Sequence, residues 1–227
     1  MSLLRPARGW LWAEWVVIWI GFPIGLYVIR QSFGRWIVPT LLVTGSLCAV
    51  ILWRDPSFDR ARFGLGGTGG GWQQAASRML RTFVPLALGV ALATWIWLPD
   101  RLFEFPRSNT RFWLIVMVLY PLLSVYPQEL IFRTFFFHRY RPIFPSDAAL
   151  CLSSAVVFGL AHVFFANWLA PVMTTLGGWL FARTYARTGS TVLTSVEHGL
   201  WGDYLFTLGL GFFFWGGSIR FTLESIG

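Results

Sequence analysis

The chain has no lysine, two cysteines and few charges, and each shortage removes a class of protein. Charged residues fill 12% of its 227 positions against 56% hydrophobic, about half the charged share of a soluble domain, so a water-facing surface cannot be closed. The net charge of +8 comes from 18 arginines alone. They lie at the ends of apolar runs rather than in a basic module studded with aromatics, which fits topology signals and lipid headgroups and argues against a nucleic-acid partner. Cys48 and Cys151 fall inside apolar runs, with no Cys-x-x-Cys or Cys/His spacing. They read as small buried hydrophobes, not as a disulfide frame or a metal site.

What is abundant is apolar and aromatic, with 14 Trp and 22 Phe. A helix needs about 17 to 25 apolar residues to cross the roughly 30 Å hydrocarbon layer, and such runs recur near Trp10 to Ile29, Ile37 to Trp53, Phe83 to Leu98, Arg111 to Tyr126, Ala148 to Phe165, Leu169 to Tyr185 and Val192 to Leu210. A further short pass or interfacial turn is possible through Phe212 to Trp215. The expected fold is all-α, a polytopic transmembrane bundle of seven or eight spans. It forms one membrane domain over 1–227, with N-terminal spans in 1–110 and a core carrying the candidate site in 111–210.

Arg5 and Arg8 precede the first run as in a signal sequence, but the run reaches Ile29 without a small-x-small cleavage site, so it is expected to stay as the first span. The connection from Arg54 to Arg81 holds five arginines and is expected on the cytoplasmic side. With the N-terminus inside, Arg139, Arg141, Arg183 and Arg187 also fall inside; Arg101, Arg107 and Arg111 fall outside, partly offset by Asp100 and Glu104. The expected location is a bacterial-type inner membrane, multi-pass. The glycines of 66–71 have no following Gly-Lys-Ser/Thr and so read as a flexible linker rather than a phosphate cradle. Gly21 and Gly25 form a small-xxx-small pair suited to close helix approach.

Against this apolar background a few ionisable side chains stand at membrane depth, where they are expensive and by default mark function. Pro127 favours a helix start and interrupts what precedes it. In the following Gln128-Glu129-Leu130-Ile131-Phe132-Arg133, Glu129 and Arg133 share a helical face and each compensates the other's desolvation. His162 stands one turn after Phe158, and His198 lies in a glycine-flanked stretch with Glu197 and Asp203. Alone, each reads equally as a packing feature: a neutralised ion pair, or a hydrogen-bonded core histidine. Topology, however, puts Glu129, His162 and His198 at roughly 18, 22 and 12 Å from the inner flank. Three helices supplying a carboxylate and two imidazoles at similar depth are expected to build one polar, watered cavity in which general-base hydrolysis is possible.

With these motifs the chain resembles the CPBP family of intramembrane proteases, named for CAAX-protein and bacteriocin processing. The family pattern is Glu-Glu-x-x-x-Arg, then Phe-x-x-x-His, then His-x-x-x-Asn. Glu129 and Arg133 match the second acid and the arginine, Phe158 and His162 the second motif, and His198 the start of the third, in the family's order. The resemblance implies an intramembrane endopeptidase whose substrate is a membrane-associated protein or a prenyl/peptide-type chain end. Glu129 with His162 would activate water, Arg133 would hold Glu129, and His198 would stabilise the oxyanion. It also implies a metal-free reaction. Gln128 stands where the family has its water-activating glutamate, and Gly202, followed by Asp203, stands where it has Asn; an amide cannot take a proton.

Three alternatives stay open. Glu129, His162 and His198 could be zinc ligands with an open fourth position. Gln128 would suit a catalytically inactive peptide-binding or accessory protein. The same buried acids and histidines could serve a proton-linked transporter, although no inverted repeat of broken spans is evident. The expected partners are a peptide or protein substrate at the membrane and the bilayer itself.

Overall fold

A computed structural model describes residues 7–65 and 71–214; Arg5, most of the glycine-rich linker and Trp215 lie outside the described residues. Among the described residues there are helices and turns and no strand, so the all-α reading holds. The long elements are α1 (Arg8–Val28), α2 (Arg30–Arg54), α3 (Trp72–Trp97), α4 (Thr110–Ile143) and α5 (Asp147–Phe165), followed by α6 (Leu169–Thr188) and α7 (Thr191–Leu208). Five of them, α1 to α5, are long and apolar enough to cross a membrane. The chain is a membrane protein, with large side chains such as Val28, Leu88 and Trp97 exposed on its outer helices, where lipid rather than water is their natural solvent. The helices α6 and α7, expected as the sixth and seventh spans, have the length without the apolar composition. They carry Arg183, Arg187, Glu197, His198 and Asp203.

Local chemistry sets the ends of the later helices. Asn109 accepts from the Phe112 amide at 3.1 Å, Ser146 from Ala149 at 3.2 Å and Ser190 from Leu193 at 3.1 Å, satisfying amides that a helix start leaves free. Gly189, at φ 60°, closes α6 in the left-handed conformation that glycine adopts without strain. The helix α3 begins at Trp72, well before the expected Phe83, because more polar turns that include Arg78 and Arg81 precede its apolar run in the same helix.

The largest departure from the sequence reading is α4, which runs unbroken through both Pro121 and Pro127. The expected interruption at Pro127 is absent because wide π turns at Pro121–Val125 and Leu130–Phe135 absorb the misfit of the rings. In the second of these turns the Thr134 hydroxyl lies 3.4 Å from the Glu129 carbonyl and 2.6 Å from the Thr191 hydroxyl of α7. The two turns shift the helical phase on either side of Glu129, and they aim the polar residues of α4 toward α6 and α7. The core beside them is aromatic: Trp19 of α1 packs on Phe132 and Phe136 at ring separations of 5.3 and 5.1 Å, and Phe132 on Phe158 at 5.1 Å.

Candidate functional site

Helices α5 and α6 lie close together because their facing positions are small. A Cβ at Gly159 would overlap Thr175, and one at Gly178 would sit 3.2 Å from the Ala155 Cα and 3.1 Å from the Phe158 ring. That closeness brings the Gly178 carbonyl within reach of α4, where Arg133 Nη2 donates to it at 3.2 Å. The Arg133 side chain is fully buried, with its Cζ 4.3 Å from the Phe158 ring centre and 5.5 Å from that of Phe181. Two aromatic faces and a carbonyl thus stand in for water around the guanidinium. Its Nε lies 3.3 Å from Glu129 Oε2 in an ion pair of which both members are wholly buried. The expected i,i+4 neighbourhood of Glu129 and Arg133 is present despite the π turn.

The other oxygen of Glu129 belongs to α7. Glu129 Oε1 is 2.7 Å from His198 Nδ1. An ionised carboxylate only accepts, so Nδ1 carries the hydrogen and the lone pair of the neutral imidazole is left on Nε2. The ring is fixed on two sides, stacked on Phe181 at 4.6 Å with 17° between planes and edge-on to Phe158 at 5.4 Å. Beyond it, His198 Nε2 lies 3.3 Å from the Tyr120 hydroxyl. Arg133, Glu129, His198 and Tyr120 form one continuous polar chain from α4 to α7 and back.

His162 stands on the far side of Phe158. Its ring is 4.7 Å from the Phe158 ring, and its Nδ1 donates to the Phe158 carbonyl at 2.7 Å, which again leaves Nε2 as an acceptor. The structure therefore gives Glu129 to His198 and gives His162 a backbone carbonyl. Gln128 is buried and its Nε2 donates to Ser124 Oγ at 2.8 Å. Asp203 lies on α7 with Oδ1 buried and without a hydrogen-bond partner.

A cavity of about 1530 Å³ opens beside these groups, larger than the roughly 300 to 1,000 Å³ of most small-molecule sites. Tyr120, Ser124, Gln128, His162 and His198 supply polar atoms to a wall that is otherwise mostly apolar, including Phe132, Phe158 and Phe181. Glu129, Arg133 and Asp203 are not among its lining residues. The carboxylate thus reaches the cavity through the imidazole. Among the described residues no three His, Cys, Asp or Glu side chains are grouped to hold a metal ion. Both Glu129 oxygens face positive or donor groups. The donor set named for zinc, Glu129, His162 and His198, is not such a group among the described residues.

Three site residues escaped the sequence. Phe181 sits on α6, which offered no motif, and Ser124 and Tyr120 were absorbed into an apolar run. A signal was present: Tyr120, Ser124 and Gln128 recur every fourth position and share a helical face.

The type II CAAX prenyl endopeptidase Rce1-like family model matches residues 110–202. The matched stretch takes in α4, α5, α6 and α7 as far as Gly202, and with them Glu129, Arg133, Phe158, His162 and His198. All five motif residues that carry the resemblance to CPBP proteases lie within it. No curated protein and no solved structure matches the chain.

Proposed function

We propose that this chain, similar over residues 110–202 to a family of prenyl endopeptidases, is an intramembrane endopeptidase. It hydrolyses a peptide bond near the end of a membrane-associated, prenyl- or peptide-type substrate. The observation that carries this is the 2.7 Å contact between Glu129 and His198 Nδ1, with His198 lining the large apolar cavity. A carboxylate on Nδ1 fixes the tautomer and stabilises the imidazolium formed when Nε2 takes a proton from water. Arg133 holds Glu129 in place. His162 Nε2 accepts a hydrogen bond from the attacking water and orients it, and Gln128 offers its amide to the water or the substrate backbone.

His198 takes the part expected of His162 from sequence, and His162 keeps only the orienting of the water. Neutral His198 has no hydrogen on Nε2 to offer an oxyanion, and of the two imidazoles it alone has the carboxylate on Nδ1. Gln128 then needs no acidity, because the proton goes to an imidazole. Water activation uses protein groups alone, and the protein sits multi-pass in a bacterial-type inner membrane with its N-terminus in the cytoplasm. A second reading, an accessory protein that binds peptides without cutting them, is favoured by the Gln128 amide at the cavity wall.

Mass spectrometry of membrane-protein termini in cells with and without the protein, with His198→Ala as control, separates the two. Proteolysis predicts a terminus lost in both deletion and variant, and a purified reaction unaffected by chelators. The accessory reading predicts that no terminus changes mass.

A further inference from the structure

Tyr120 lines the cavity and has no part in the mechanism so far, yet two neighbours fix its place. Its hydroxyl is 3.3 Å from His198 Nε2, and its ring packs edge-on against Phe206 at 5.1 Å. Gly202 faces it from α7, where an added Cβ would fall on the phenol, 2.7 Å from Cζ. Glycine at 202 is the condition for the hydroxyl to be where it is. Because Nδ1–H is taken by Glu129, the Tyr120 O–H donates to Nε2. At 3.3 Å that bond is long for a hydroxyl donor, so a water molecule can displace it.

We infer that Tyr120 is a catalytic residue that gives up His198 Nε2 to the attacking water and turns its O–H onto the scissile carbonyl oxygen. This rests on the assignment of His198 as the base. In the first step a water O–H bond breaks, its proton goes to Nε2, and its electron pair forms the bond to the carbonyl carbon. The carbonyl π pair moves onto oxygen, where the Tyr120 O–H meets it. Protonated Nε2 has no lone pair with which to recapture the phenol, so the donor stays on the oxyanion while the charge exists. Collapse then re-forms the C=O bond and breaks the C–N bond. The Nε2 proton passes to the departing nitrogen, and Nε2 becomes an acceptor for Tyr120 again. A preorganised donor of this kind is aimed at charge present only in the intermediate, and so acts on kcat rather than KM.

The test uses the purified full chain in detergent and an internally quenched prenylated CAAX-type peptide. Tyr120→Phe keeps the ring and should lower kcat about 100-fold or more, with KM within about twofold. Gly202→Ala should lower kcat as much by pushing the phenol aside. The double variant should lose little further, because both changes remove one donor. Solid-state 15N NMR of histidine-labelled protein should show the His198 Nε2 resonance moved by Tyr120→Phe. An active wild type matched by Tyr120→Phe in rate, or an unmoved Nε2 resonance, overturns the inference alone. If wild type cuts neither the reporter nor any cellular terminus and His198→Ala changes nothing, the protease assignment falls and the role of Tyr120 with it.

Discussion

The helix α4 carries two buried ionic clusters, and they are finished in opposite ways. At Arg139 the guanidinium bonds both oxygens of Glu14 on α1, at 2.9 and 2.5 Å, and the Tyr140 hydroxyl donates to Glu14 Oε1 at 2.8 Å. None of the three lines the large cavity. At Arg133 the carboxylate partner passes its second oxygen to an imidazole whose other nitrogen meets only a long contact from a phenol at the cavity wall. The first cluster is closed and ties α1 to α4. The second ends in a lone pair that water can reach. The charges are alike in both and the first pair is the less buried, so what separates a structural from a functional ion pair here is where its last hydrogen bond leads.

Breaking each cluster should therefore give different kinds of loss. Glu129→Gln and His198→Ala are expected to lower kcat by about 1000-fold or more, about 4 kcal/mol of barrier, in protein that still inserts; cleavage rates per inserted molecule check this. Arg139→Ala is expected to lower stability by about 3 kcal/mol, since it removes two charge-assisted hydrogen bonds from a half-buried carboxylate. Its rate per folded molecule should stay within about twofold of wild type, and thermal unfolding measured beside kcat decides it. His162→Ala, which removes the water's second acceptor, should cost about 100-fold in kcat, about 2.7 kcal/mol. Ser124→Ala frees the Gln128 amide from its anchor and should cost about 1 kcal/mol, a fivefold change in rate.

The smallest effect concerns a third cluster, at the end of α2. Asp55 accepts from His138 Nε2 at 2.9 Å and from the Ser57 amide and hydroxyl at 2.9 and 2.8 Å. Burial alone would raise its carboxyl, but the bonds from His138 and Ser57 outweigh it and hold the group below the usual carboxylate range. A lowered folded value means that the stabilisation is complete above the unfolded value near 3.9 and disappears as pH falls through the folded one. The unfolding midpoint should show no pH dependence from Asp55 between about pH 7 and 5, where its stabilisation is fully present, and a loss below about pH 4, and Asp55→Asn should remove that acid limb.

The residues of the site were legible in the sequence one at a time, their partners were not. Glu129, Arg133, His162 and His198 stood out because a titratable group in an apolar run has no cheap explanation. The Glu129–Arg133 pairing followed from helical spacing. That Glu129 serves His198 did not follow, because it depends on how α7 is rotated against α4, and two π turns reset that rotation. Tyr120 stayed hidden for the opposite reason, since a tyrosine inside the apolar run from Arg111 to Tyr126 reads as packing. Proline chemistry gave the wrong boundary at Pro127 because the widened turn at Pro121–Val125, just before the ring, accommodates the backbone that the ring disturbs.

By itself the sequence determined that the chain is a helical membrane protein with its polar chemistry in the last hundred or so residues, because composition and the period of apolar runs are properties of the chain alone. Tertiary structure decided which imidazole receives the carboxylate, which group faces the cavity and which glycine makes room for a phenol. Those are distances between helices far apart in sequence, and they depend on packing and helical phase that no single segment encodes.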